Sequence, residues 1–167
     1  MRVLSIDPAI RNTGFAVIEG NAQKQAPLAY DVISIPQRLT QSRALAAVCT
    51  GISNQIEKWN PDEIAVESII YVQSHRTAIS MGAARAAALI AGANYGLPVF
   101  EYAPTKVKQA VTGKGSADKS QVAFMVRALL GLSETPPPDA ADALAIALTH
   151  FYATDPLKAK TLGRKEI

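Results

Sequence analysis

The apolar, β-branched run Val3-Leu4-Ser5-Ile6 stops at Asp7-Pro8. Runs of this kind fill a central strand covered on both faces, and proline, which has no N–H to give the ladder, ends it. The pattern sets a carboxylate at the carboxyl end of a buried strand, fixed by a rigid imide. Asn12, Thr13 and Gly14 read as a turn, and Phe15-Ala16-Val17-Ile18 as the start of a second strand. Alone, Asp7 is more often a turn or cap aspartate than a functional acid. A catalytic reading needs other groups beside it.

The rest of the chain decides what sheet this strand joins. Leu28 to Ile35 predicts a third, antiparallel strand, and Gln41 to Trp59 a helix whose Leu45, Val48, Cys49, Ile52 and Ile56 recur at three and four residues. Glu63-Ile64-Ala65-Val66-Glu67 predicts a short strand with a second acid at its carboxyl end. An alanine-rich helix is expected over 77–95, a strand over Val99-Phe100-Glu101-Tyr102, and a short helix from Pro104 through Ala110. After the loop Thr112-Gly113-Lys114-Gly115-Ser116, with Ser116 as the expected N-cap, a helix runs to Leu130, and a last one spans Asp139 to about Tyr152. This order predicts an α/β fold, a five-stranded mixed sheet with helices on both faces, in one domain over 1–153. The basic stretch 154–167 is expected to be a flexible tail.

Asp139 and Asp142 stand three apart, on one face of the first turn of that last helix. Capping is one reading of the pair. The other rests on Ala140, Ala141, Ala143, Ala145 and Ala147, which let the helix lie close on a sheet and carry both acids to the strand ends. In open α/β sheets sites form there, where Asp7 and Glu67 also stand. Four carboxylates in one place repel one another, and a hard divalent cation such as Mg²⁺ removes that conflict. No Cys/His zinc spacing competes: His75 reads as a loop residue, His150 as a helix-surface or core histidine, and the single cysteine, Cys49, as a small core residue.

Those segments carry a resemblance. Ser5-Ile6-Asp7-Pro8 with Thr13-Gly14, Ala65-Val66-Glu67-Ser68, Pro98–Tyr102, Val107-Lys108-Gln109, Gly115–Val122 and Asp139–Ala147 are similar, in order and spacing, to the RuvC family of Holliday-junction resolvases. The resemblance covers nearly the whole chain, and its last two segments are the most specific. It implies an RNase H-like fold and a homodimer that nicks opposed strands of a four-way DNA junction, leaving 5′-phosphates. It implies Mg²⁺, two ions per subunit with Mn²⁺ as a substitute, held by Asp7, Glu67, Asp139 and Asp142. It favours Lys108 and Lys119 as DNA contacts, with Lys119 close enough to assist the chemistry. A RuvA–RuvB branch-migration complex is the implied partner. Two positions depart from the family: Ala9 replaces a usual glycine, and Ile70 stands where some members have an aromatic residue, with Tyr71 beside it.

Other expectations come from the residues themselves. Lys106 and Lys114 cluster around the short helix and the glycine loop, and Arg76 and Tyr71 follow the second acidic strand, all suited to DNA phosphates or bases. The 77–95 helix, small on nearly every side, is expected to be buried all round, partly in the homodimer, with Arg85 needing a partner. One cysteine excludes an internal disulfide and, with no signal peptide or membrane-spanning run visible, a cytoplasmic location is expected. The formal charge of +3 permits a polyanionic partner without requiring one. The rival functions are a non-catalytic junction-binding module and an RNase H-like nuclease acting on RNA. A third, an actin-like phosphotransferase, lacks the length for two lobes.

Overall fold

The computed structural model describes residues 1–69 and 74–167. Its sheet has the strand order β3-β2-β1-β4-β5-β6, built from β1 (Arg2–Asp7), β2 (Asn12–Gly20), β3 (Gln25–Ser34), β4 (Glu63–Glu67), β5 (Val99–Tyr102) and β6 (Lys165–Glu166). β1 is antiparallel to β2 and parallel to β4, and β4 is parallel to β5. The carboxyl ends of β1, β4 and β5 therefore open at one end of the sheet.

Period-two alternation splits the strands between two cores. Leu4, Ile6, Phe15, Val17, Ile64 and Val66 face α1 (Gln41–Trp59) and α2 (His75–Asn94). Val3, Ala16, Ile18, Ala65, Phe100 and Tyr102 face α3 (Pro104–Thr112), α4 (Lys119–Leu130) and α5 (Pro138–Ala153). Helices thus cover both faces. α5 is buried from Ala143 through Phe151, and its alanines allow close contact with β1 and β2.

Several local expectations change. Asn12, Thr13 and Gly14 are not a turn but the start of β2, paired so that Gly14 lies opposite Asp7. The turn is the stretch 8–11, held by the buried Thr13, whose Oγ1 donates to the carbonyl of Ala9 at 2.6 Å and accepts from its N–H at 3.3 Å. Ala9 keeps an ordinary backbone, since Asn60 alone among the described non-glycine residues has positive φ, so the missing glycine carries no strain. The N-cap of α4 is Asp118 rather than Ser116, because Asp118 and Gln121 form a reciprocal capping box. His75 is the first residue of α2, not a loop residue, and Cys49 is only half-buried.

The expected flexible tail is the largest difference. Residues 154–167 build α6 (Pro156–Leu162) and β6, which pairs with β5 and makes the sheet six-stranded. Leu162 joins the core, Arg164 pairs with Glu63, and Lys165 pairs with Glu101. The basic composition that read as solvated is used to pair with acids on β4 and β5.

Candidate active site

Strand endings fix the first two acids. Asp7 is the last residue of β1 and Glu67 the last of β4, parallel neighbours, so both carboxylates leave the sheet on its carboxyl side. α5 runs back against these strands and brings Asp139 and Asp142, in its first turn and a half, to the same mouth. Neither is a cap: the N-cap is Pro137, and no side chain caps this helix. All four acids are half-buried.

Two residues that sequence reasoning gave other roles, or none, hold α5 in place. Gly14 faces the main-chain carbonyl of Asp139 so closely that a Cβ there would overlap it. Because Gly14 also pairs with Asp7, one glycine sets the spacing between the first acid and the third. Ser5, the polar break in an otherwise apolar strand, is fully buried and donates to the carbonyl of Ala143 at 2.7 Å. That hydroxyl ties β1 to α5 just beyond Asp142. A lone serine in a buried strand was the available signal.

The electrostatics show neighbouring acids acting on Asp7 and Glu67. Burial, then the charge of Asp142, pushes Asp7 up from 3.8 to about 6. Burial, then the charges of Asp7 and Asp142, pushes Glu67 up from 4.5 to about 7. Lys119 opposes both shifts; its Nζ donates to Asp142 at 2.9 Å, and that bond raises its own pKa. Lys108 also pulls Glu67 down. The protein thus supplies too little positive charge for its acids. Among the described residues no three carboxylates close into a tight cage. Oxygen donors this open suit only a hard divalent cation that is held by few carboxylates together with waters and substrate phosphates.

Lys119 therefore touches Asp142, and Lys108 lies close enough to act on Glu67. Lys106 sits in the first turn of α3, and Lys114 lines a separate cleft with Phe124 and Met125; neither touches the acids. Arg76 is the second residue of α2. Ile70 and Tyr71 lie outside the described residues. Arg85 has its partner, Glu101 at 2.7 Å. The 77–95 helix is not buried all round: Ala84, Ala87, Ala88 and Ala91 face the sheet, while Ile79 and Ile90 are 69% and 54% exposed. His150 is fully buried, with its Nδ1 2.8 Å from the Tyr102 hydroxyl and its Nε2 2.6 Å from Glu63.

Comparison with known proteins gives a consistent result. The family described as "Crossover junction endodeoxyribonuclease RuvC" matches residues 3–150. A crossover junction endodeoxyribonuclease RuvC from Akkermansia muciniphila is 60% identical over 167 residues, all of both chains. One from Moorella thermoacetica is 45% identical over 90% of each chain. Among solved structures, T. thermophilus RuvC in complex with Holliday junction substrate superposes with a TM-score of 0.90 at 34% identity, covering 100% of this chain and 99% of that one.

Proposed function

The chain belongs to the RuvC family of crossover junction endodeoxyribonucleases, and on that premise we propose that it resolves four-way DNA junctions with Asp7, Glu67, Asp139 and Asp142 as its metal ligands. The observation that carries this reading is the acid mouth itself. Four carboxylates from β1, β4 and α5 converge there, with Lys119 alone among the described cations in hydrogen-bond contact with them. Mg²⁺, in two ions per subunit, fits the oxygen donors, and Mn²⁺ serves in its place. When bound, the cations supply positive charge to the attacking and leaving oxygens of the phosphodiester.

The protein's own residues do the rest. Gly14 and Ser5 hold α5, and with it Asp139 and Asp142, against the strand ends. Lys119, exposed at the rim, brings a cation towards charge developing on the phosphate, and Lys108 adds a second positive group. Lys106, Lys114, Arg76, Ile70 and Tyr71 complete the proposed DNA contacts. The products are nicks with 5′-phosphates, ready for ligation.

The proposal includes a homodimer through α2, because a two-fold junction needs two equivalent sites. Its support is an apolar cleft of about 380 Å³ between α1 and α2, lined by Leu45, Cys49, Ala83, Ala86 and Ile90. RuvA–RuvB is the proposed partner complex. A cytoplasmic location fits the single half-buried Cys49. No helix among the described residues is long and apolar enough to cross a membrane.

The test is a mobile four-way junction incubated with Mg²⁺ or with chelator, using the wild type and Asp7→Asn. Paired nicks are expected from the wild type with Mg²⁺ alone. Asp7→Asn is expected to lose roughly 10²–10³-fold or more in rate while still binding the junction. Unchanged nicking by Asp7→Asn would sink the assigned site. Binding without nicking by the wild type would leave a junction-binding module, and preferential cutting of structured RNA would redirect the activity to RNA.

A further inference from the structure

We propose that the cleft between the 8–11 turn and the starts of α1 and α2 is a second phosphodiester-binding site, which grips the DNA backbone beside the acid mouth. This rests on the reading of the chain as a junction nuclease. The cleft is about 470 Å³ and is lined by Ile10, Arg11, Gln41, Arg76, Ile79 and Ser80. It is larger than a single phosphate needs and has room for a stretch of backbone.

Two guanidinium groups give it charge. Arg11 donates from Nη1 to the carbonyl of Pro36 at 2.7 Å and from Nη2 to that of Leu39 at 3.0 Å. Neutral carbonyls hold that side chain still without cancelling its charge, and a guanidinium has five N–H donors, so others stay available. Among the described residues neither Arg11 nor Arg76 forms an ion pair with a carboxylate. Two long helices add to the same field. Gln41 opens α1, and Arg76, Ile79 and Ser80 belong to the first turns of α2. Neither N-cap side chain, Thr40 or Ser74, accepts a backbone N–H, and neither first turn contains an acid. Uncapped N–H groups and the positive ends of both dipoles therefore favour an anion here.

Position makes the anion a DNA backbone rather than a free small ion. The 8–11 turn that carries Ile10 and Arg11 begins at Asp7-Pro8, and Ser80 adjoins Met81, which lines the acid mouth with Asp7, Pro8 and Glu67. The cleft is thus continuous with the site of cleavage. Lys108 and Lys119, on α3 and α4, approach the acids from the opposite face of the sheet. A strand crossing the mouth meets positive charge on both sides, and Ile10 and Ile79 offer apolar surface to its sugars.

The experiment uses the full chain in chelator and measures junction binding across a salt titration for wild type, Arg76→Gln and Lys24→Gln. Arg76 is exposed, so its loss leaves the fold intact, whereas Arg11 also braces the turn. Lys24 lies in the β2–β3 turn, at the end of the sheet away from Asp7. Arg76→Gln is expected to bind roughly tenfold more weakly at moderate salt and to lower the log–log salt slope by about 1, and Lys24→Gln to leave both unchanged. Neutral methylphosphonates placed singly around the cut are expected to weaken the wild type at one or two positions that are silent in Arg76→Gln. An unchanged slope and an unchanged methylphosphonate profile would overturn the cleft. A slope lowered by Arg76→Gln on plain duplex, with a wild type that nicks no junction, would keep the cleft and sink the junction reading.

Discussion

Two glutamates bound β4, Glu63 at its start and Glu67 at its end, and their carboxyl groups are pushed in opposite directions. Glu63 is held below its usual range by a hydrogen bond from His150 and by the Arg164 guanidinium. Glu67 is driven up to about 7 by burial and by Asp7 and Asp142. α5 serves both ends, bringing His150 to the first and Asp139 and Asp142 to the second. Around His150 every polar group has a partner. A neutral imidazole donates from Nε2 to Glu63 and accepts the Tyr102 O–H at Nδ1, and Arg164 stacks on Phe100 at 4.1 Å from the ring centroid. The paired end adds to stability. The acid end stores unrelieved repulsion that a cation would release, the arrangement expected of a site rather than a core.

Substituting the two glutamates separates these roles most widely. Glu67→Gln is expected to cut the nicking rate by roughly 10²–10³-fold and, in chelator, to raise the melting temperature, because a buried repelling charge is gone. Glu63→Gln is expected to leave nicking per folded molecule unchanged. It leaves buried His150 and the exposed Arg164 with a weaker acceptor, at a cost of about 1–3 kcal/mol that falls mainly on His150, read as a drop of roughly 2–10 °C. Single-turnover nicking and calorimetry on both proteins decide the matter. A Glu63→Gln protein that loses rate without losing stability would end the contrast.

A smaller effect is expected where no charge is altered. Gly14→Ala forces a methyl group against the Asp139 carbonyl, and α5 must shift at its acid end while His150 stays anchored. Overpacking of this kind costs about 1–3 kcal/mol. The variant is also expected to need more Mg²⁺ for half-maximal nicking, since two ligands move relative to the other two. An unshifted Mg²⁺ requirement, at a lowered melting temperature, would reduce Gly14 to a packing residue.

The two ends also differed in how far they could be read from the chain. Asp7 and Glu67 were legible because apolar runs stop at them, and Asp139 with Asp142 because a three-residue spacing on an alanine-rich helix has one geometric meaning. Each acid taken alone also read as a turn or cap residue, and it was their gathering at one end of the sheet that favoured a site. The paired end rests on contacts between distant segments. Arg164 and Lys165 looked like a solvated tail, and nothing near them in sequence announces Glu63, Glu101 or a sixth strand. Gly14 shows the intermediate case: a glycine after threonine suggested a turn, but its need for space arises from a helix far along the chain. The Asp118–Gln121 capping box is a local, three-residue signal that the reading of Ser116 as N-cap passed over.

The smallest effect, and the most discriminating, is in pH. Asp7 and Glu67 have folded pKa values raised to about 6 and about 7, above ordinary values of 3.8 and 4.5. The stability tied to their protonated forms is full below pH 4 and is lost as pH rises through 6 to 7. At the other end Glu63 and His150 are both lowered, His150 chiefly by burial, with Glu63, Tyr102 and Arg164 around it. Their contribution has the opposite sign: it is present above their unfolded values, near 6.5 for histidine, and fades as pH falls through the lower folded ones. In chelator the two limbs oppose each other between pH 5 and 8. On the proposed reading, Mg²⁺ binding to the ionised acids is expected to remove only the rising-pH loss. The gain in melting temperature on adding Mg²⁺ is therefore expected to grow by a few degrees from pH 5 to pH 8, to shrink in Glu67→Gln, and to persist in Glu63→Gln. A gain that is the same at both pH values, or that survives Glu67→Gln intact, would mean that the raised carboxyl groups are not where the cation acts.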